Sequence, residues 1–181
     1  MSPVTVVWFK RDLRLHDHAS LAAARTQAPI LPLYVVEPSL WSAPDADAQH
    51  WRWIRASLEE LAEALAARGA PLLVRRGEVV AVLADLHRRV GIRGLHSHQE
   101  TGLRVSFARD RAVASFCRAE RIPWTEHLQF GAFRPAGDRD GWARRWEALM
   151  SEPERTLPER LPGTALDDLA PEPLPERPVP G

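Results

Sequence analysis

The stretch Val4–Phe9, Val-Thr-Val-Val-Trp-Phe, constrains the fold more than any other part of this 181-residue chain. It is an unbroken β-branched and aromatic run with no polar alternation. A strand of that kind must be covered on both faces, and such strands belong to parallel sheets with helices above and below. The run stops at Lys10-Arg11-Asp12-Leu13-Arg14-Leu15-His16-Asp17, where a burst of charge marks a loop beyond the strand's carboxyl end.

The rest of the chain repeats the alternation. Ile30–Val36, Leu72–Arg75, Gly94–Ser97 and Ile122–Glu126 read as further strands. Between them, Ala19–Gln27 is Ala-rich and helical, with Asp17 or Ser20 as N-cap. Ala48–Arg68 is amphipathic, with Trp51, Ile54, Leu58, Leu61 and Leu65 at helical spacing. Val79–Val90 is a helix stopped by Gly91, and Ser106–Glu120 is another. This order predicts an α/β fold of the doubly wound, Rossmann-like class, with a five-stranded parallel sheet and helices on both faces. A loop at Leu128–Asp140 and a helix at Asp140–Met150, packed through Trp142 and Trp146, complete one domain over residues 1–150. Prolines crowd residues 151–181, which read as a linker or disordered arm.

Composition narrows the class further. Twenty-four Lys and Arg balance 24 Asp and Glu, so the chain has no global field to gather nucleic acid. Its single cysteine, Cys117, forms no internal disulfide and is expected as a small buried hydrophobe in a reducing, cytoplasmic setting. No run is long and apolar enough to predict a membrane span.

Two loops carry candidate chemistry. The first, after Phe9, gathers Lys10, Arg11, Asp12 and Arg14 where doubly wound folds hold ligands. Guanidinium groups there suit an anionic or planar aromatic ligand, and the same charges also suit a solvated loop pairing with itself. The second is His96-Ser97-His98-Gln99-Glu100-Thr101-Gly102. His96 and His98 share a strand face, but no third ligand stands at suitable spacing, so no metal site is expected. Neither Gly-x-Gly-x-x-Gly nor Gly-x-x-x-x-Gly-Lys-Ser/Thr occurs, which counts against common nucleotide-binding families. Of the tryptophans, Trp51 is expected in the core and Trp53 at a rim, and none is assigned electron transfer.

Val-Trp-Phe-Lys-Arg-Asp-Leu-Arg-Leu-His-Asp-His closely resembles the opening of DNA photolyases and cryptochromes. Leu31–Val36, Gly77-Glu78 and Ala108-Arg109-Asp110-Arg111 are similar to later family segments, so the resemblance covers residues 4 to 150. It departs at Leu103 and Phe130, where relatives carry Asn. The resemblance implies the N-terminal light-harvesting domain of a deoxyribodipyrimidine photolyase or cryptochrome, a lyase family that repairs DNA with light. It implies an antenna chromophore (folate, deazaflavin or flavin) beside Lys10, Arg11, Asp12, Arg14, Glu37 and Glu100. In that family FAD, the catalytic residues and the DNA contacts belong to a C-terminal helical domain, which these residues do not include. The partner implied is that helical domain or a separate chain carrying it, and no repair is expected from these residues alone. Two other readings stay open: a degenerate stand-alone interaction or regulatory module, and an unrelated doubly wound nucleotide-binding protein.

Overall fold

The computed structural model describes residues 2–27, 29–44, 46–102, 104–129, 132, 140–166, 169 and 171–178. Five parallel strands stand in the order β3-β2-β1-β4-β5. They are β1 (Val4–Phe9), β2 (Ile30–Val36), β3 (Leu73–Arg76), β4 (Ile92–His98) and β5 (Trp124–His127). The chain winds outward from β1 to β3, then returns to the other side of β1 with β4. The strand order therefore reverses at the β1/β4 pair, which opens a crevice at their carboxyl ends.

Helices α1 (Ala19–Ala24), α2 (Pro38–Trp41), α3 (Ala48–Ala67), α4 (Val79–Val90), α5 (Arg104–Ala119) and α6 (Trp142–Met150) connect and flank the strands. The β1 run explains the layering. Val4, Val6 and Trp8 point to one core, with Val82, Leu83 and Leu86 of α4 and Val113 and Cys117 of α5. Val7 and Phe9 point to the other, with Leu21 of α1 and Trp51, Leu58, Leu61 and Leu65 of α3. Both sides of the strand are thus dry, as its composition requires.

Several boundaries moved. β4 starts at Ile92 and extends to His98, because parallel pairing with β1 supports residues that weak local propensity leaves unmarked. The N-cap of α1 is neither Asp17 nor Ser20 but His18, whose ring accepts the Leu21 N–H. The short α2 was not anticipated. Trp142 and Trp146 stack on each other, with rings 6.1 Å apart, but both are exposed, and α6 buries no residue. Most of the Leu128–Asp140 loop, with Leu103 and Phe130, lies outside the described residues.

The largest correction concerns the arm. From residue 152 to the end the described residues form neither helix nor strand beyond an isolated bridge at Gly163 and a lone 3₁₀ position at Leu169, yet the segment packs as a strap. Leu161 is buried in one core and Leu169 in the other. Ile30 donates to the Pro162 carbonyl at 2.8 Å, Thr164 to Ile30 at 3.0 Å and Leu161 to Arg68 at 2.8 Å. Composition failed here because five leucines spaced through a proline-rich stretch can be wholly or partly buried without regular structure, provided another face of the domain supplies the hydrogen-bond partners.

Candidate functional site

The carboxyl ends of β1, β2 and β4 surround a cavity of about 780 Å³, a size suited to a small organic ligand. Trp8, Tyr34, Trp41 and Trp53 give it aromatic surface, and Glu37, Glu100, Arg11, Arg14 and Arg109 give it charge. Trp53 stands at the rim, 71% exposed, while Trp51 is buried and meets Trp41 edge-on at 5.1 Å.

Arg109 organises the charged side. Its guanidinium donates to Glu37 at 3.1 Å, to Asp110 at 2.9 Å and to Glu100, and stacks 4.7 Å over Trp8. One planar fork thereby links the ends of β2 and β4 to α5. Burial alone would lower the Arg109 pKa, but Glu37, Asp110 and Glu100 raise it, so it stays charged. Glu37 is pushed up to about 7 by burial, against the pull of Arg109. Its second oxygen accepts the Val79 N–H at 3.3 Å, at the start of α4. Lys10 reaches Asp110 at 3.1 Å and lies 4.3 Å over Trp8. Burial lowers the Lys10 pKa, with Asp110 opposing. Arg11 stands at the mouth, bonded to Glu100 at 3.0 Å. Arg14 turns back onto the carbonyls of His16 and Asp17.

Of the six residues singled out by sequence, Lys10, Arg11, Arg14, Glu37 and Glu100 line the cavity. Asp12 does not. It is buried beneath the loop, where Oδ1 accepts the Lys10 N–H at 2.7 Å. Its Oδ2 faces His18 Nε2 at 2.9 Å and accepts from His98 Nδ1. Burial would raise the Asp12 pKa, but the bonds from His18 and His98 outweigh it and hold the carboxyl far below its ordinary range. Arg109 is the functional residue missed. Its signal was the charged Arg109-Asp110 pair within α5, an otherwise sheet-packing helix.

His96 and His98 share a face, as strand geometry requires, but take different partners. His96 meets His127 at 3.1 Å and His98 meets Asp12. Asp12, His18 and His98 bring metal-ligating atoms within 4.8 Å of one another. The hydrogen bonds assign these atoms otherwise. The Leu21 N–H occupies the lone pair of His18 Nδ1 at 3.0 Å, so the neutral ring carries its proton on Nε2. A nitrogen bearing that proton has no lone pair for a cation, and Asp12 is held instead by its hydrogen bond with His98 and the close approach of His18.

A crevice of this kind is common to many α/β proteins, and comparison with known sequences separates them. The sequence profile of DNA photolyase matches residues 5–136. This chain belongs to the DNA photolyase family. Over 96% of its length it is 29% identical to the deoxyribodipyrimidine photo-lyase of Streptomyces griseus, of which it covers 40%. A 73-residue stretch is 45% identical to the enzyme of Salmonella typhimurium, covering 39% of this chain and 15% of that one. The crystal structure of a class III photolyase from Agrobacterium tumefaciens superimposes with a TM-score of 0.73 at 26% identity, covering 90% of this chain and 35% of that protein. The photolyase-family domain described here thus spans well under half of these relatives. The match runs against an unrelated nucleotide-binding protein and does not favour a degenerate interaction or regulatory module. Among the described residues, no helix is long and apolar enough to cross a membrane.

Proposed function

We propose that this photolyase-type α/β domain binds a light-harvesting chromophore in the cavity at the carboxyl edge of its sheet. The single observation that carries this is the cavity itself: about 780 Å³, walled by Trp8, Tyr34, Trp41 and Trp53, with buried Glu37 and Glu100 held in place by Arg109. Flat aromatic walls favour a fused heterocycle. Carboxylates fixed by a guanidinium keep lone pairs for the N–H groups of such a ring. Arg11 at the mouth suits an anionic tail. The residues present therefore fit a folate, a deazaflavin or a flavin. A photolyase from Sulfolobus tokodaii with the same fold (TM-score 0.72, 20% identity) is described as carrying two FAD molecules, with a novel light-harvesting cofactor implied.

The chromophore's contribution would be absorption of near-ultraviolet or blue light and transfer of that energy to FAD. FAD, and through it light-driven repair of pyrimidine dimers in DNA, is assigned to a helical partner domain. The residues described here bind and orient the ring and exclude water from it. Titration of the purified chain with flavin mononucleotide, a deazaflavin and methenyltetrahydrofolate, followed by ligand absorbance and tryptophan quenching, tests the reading. Binding of one of the three, weakened by Glu37→Gln or Glu100→Gln, supports it. Failure of all three to bind a folded chain refutes it.

A further inference from the structure

The cavity wall formed by Lys10–Asp17 has an unfavourable local geometry. Asp17 sits at φ 44°, a region that side chains other than glycine rarely adopt, and Arg14 N–H turns back to the Asp12 carbonyl at 2.7 Å. The loop is held from below by Asp12, and Asp12 in turn by His18 and His98. His18 performs two tasks with one ring. Nδ1 accepts the Leu21 N–H and caps α1, while Nε2–H faces Asp12 Oδ2. Only the neutral ring protonated at Nε2 does both.

We propose that His18 is a positioning residue for the cavity wall and that, through Asp12, it makes the Lys10–Asp17 loop an acid-released latch. Protonation of Nδ1 sets one N–H against another, so the Leu21 cap is lost and the ring leaves its place under the loop. Lys10, Arg11 and Arg14 then lose the geometry that aims them at the cavity. The latch is a property of the loop and stands whatever the cavity binds.

The surroundings explain the direction. From its own loop His18 faces Asp12 and Arg14, while the exposed His16 pairs with Glu154 at 3.3 Å. From β4 it meets His98, rings 4.5 Å apart, and beyond that His127 of β5 lies 6.2 Å from His98. From the strap, Arg155 donates to Asp17 at 3.0 Å. Asp12 is the carboxylate in contact, Arg14 is the nearby cation, and Phe9 of β1 packs on the ring at 4.7 Å. Burial lowers the His18 pKa, with Asp12 opposing. The closed loop therefore refuses a proton that the open loop accepts. Opening grows as pH falls below the free imidazole value of about 6.5, by about tenfold per pH unit for one proton taken up.

Amide hydrogen exchange of the whole chain, corrected for intrinsic rates, tests this between about pH 7.5 and about pH 5, a window that brackets the free imidazole value. The protection of the Lys10 and Leu21 amides is expected to fall together by about tenfold per unit, while Val7 and Leu33 in the central strands keep theirs. In His18→Asn the side-chain carbonyl takes the place of Nδ1 and still accepts from Leu21, and the amide does not titrate, so the protection that remains at Leu21 should stay level with pH. A level wild type, or a variant that keeps the full slope, overturns the proposal. If that variant does not fold, nitrogen-15 spectra of the wild-type ring decide. The Nε2–H tautomer at neutral pH is expected, and an Nδ1–H tautomer or a charged ring overturns the latch.

Discussion

At the carboxyl end of the sheet, buried charges hold the structure: Arg109 on Glu37, Glu100 and Asp110, Lys10 on Asp110, and two histidines on Asp12. At the amino end the strap closes the fold through main-chain bonds to Ile30 and Arg68 and a glycine, Gly163, set against Gly69 and Ala70, while its ion pairs, such as Arg155 with Asp17, lie elsewhere along it and partly in solvent. Charges taken from water cost several kcal/mol each and regain this only when every partner is in place. Backbone bonds and apolar contacts carry no such debt. The carboxyl edge therefore looks built for recognition and the strap for stability, and substitutions should separate the two.

The largest effect is expected from Arg109→Ala. It strands three acidic groups, and loss of about 4 kcal/mol by urea denaturation is expected, together with loss of ligand binding. Loss below about 1 kcal/mol would mean that water already serves those carboxylates. At the other end Leu169→Ala, in a fully buried position, should cost about 3 kcal/mol while leaving ligand affinity of the folded chain unchanged. A shift in affinity would show that strap and cavity are coupled, for which Trp51, bonded to the carbonyl of Glu176 at 3.0 Å and edge-on to Trp41, is the obvious route.

Gly163→Ala comes next. Its added Cβ would lie 2.2 Å from the Gly69 carbonyl oxygen, a backbone atom that cannot swing aside, and roughly 2 kcal/mol should be lost. Glu37→Gln tests the charged edge through pH. The raised Glu37 pKa, about 7, means that the folded state favours the protonated carboxyl. Its contribution to stability is greatest in acid and is lost as pH rises from the ordinary carboxylate value towards 7. The variant, which does not titrate, should therefore gain on wild type as pH rises across that window. Denaturation on either side of the window measures this, and a constant difference would assign Glu37 an ordinary titration. The smallest effect is expected from Arg55→Ala, whose partner Glu59 is an exposed i,i+4 neighbour at 3.2 Å; about 0.4 kcal/mol should be lost, and salt should erase it.

Much of this was legible in the sequence, for identifiable reasons. β1, β2 and α4 carry dense apolar runs bounded by charge, proline or glycine, so local pattern sufficed for their limits. β4 was read short, from Gly94, because Arg93 and Gly94 interrupt the apolar run after Ile92; Ile92 joins the strand through its pairing with Val4 of β1, with a register shift at Arg93. The cavity loop was found because it follows a strand that had to be central, and five of the six chosen side chains do line the cavity. Asp12 looked the same as its neighbours in sequence. Its carboxyl turns inward because His18 and His98 wait there.

The sequence by itself determined the family, the layered α/β class and which end of the sheet carries the chemistry. The family follows from the resemblance of the contiguous motif at Val7–His18, and the other two from contiguous runs whose periodicity reports on burial. Tertiary structure alone decided the partners of the charges. Lys10 and Asp110 lie 100 positions apart, Asp12 and His98 lie 86 apart, and Glu37 and Arg109 lie 72 apart. Spacing says nothing about such pairs, because the strand order that brings them together depends on how the whole sheet is wound. The strap was decided in the same way, since its leucines find burial only once both faces of the sheet exist to receive them.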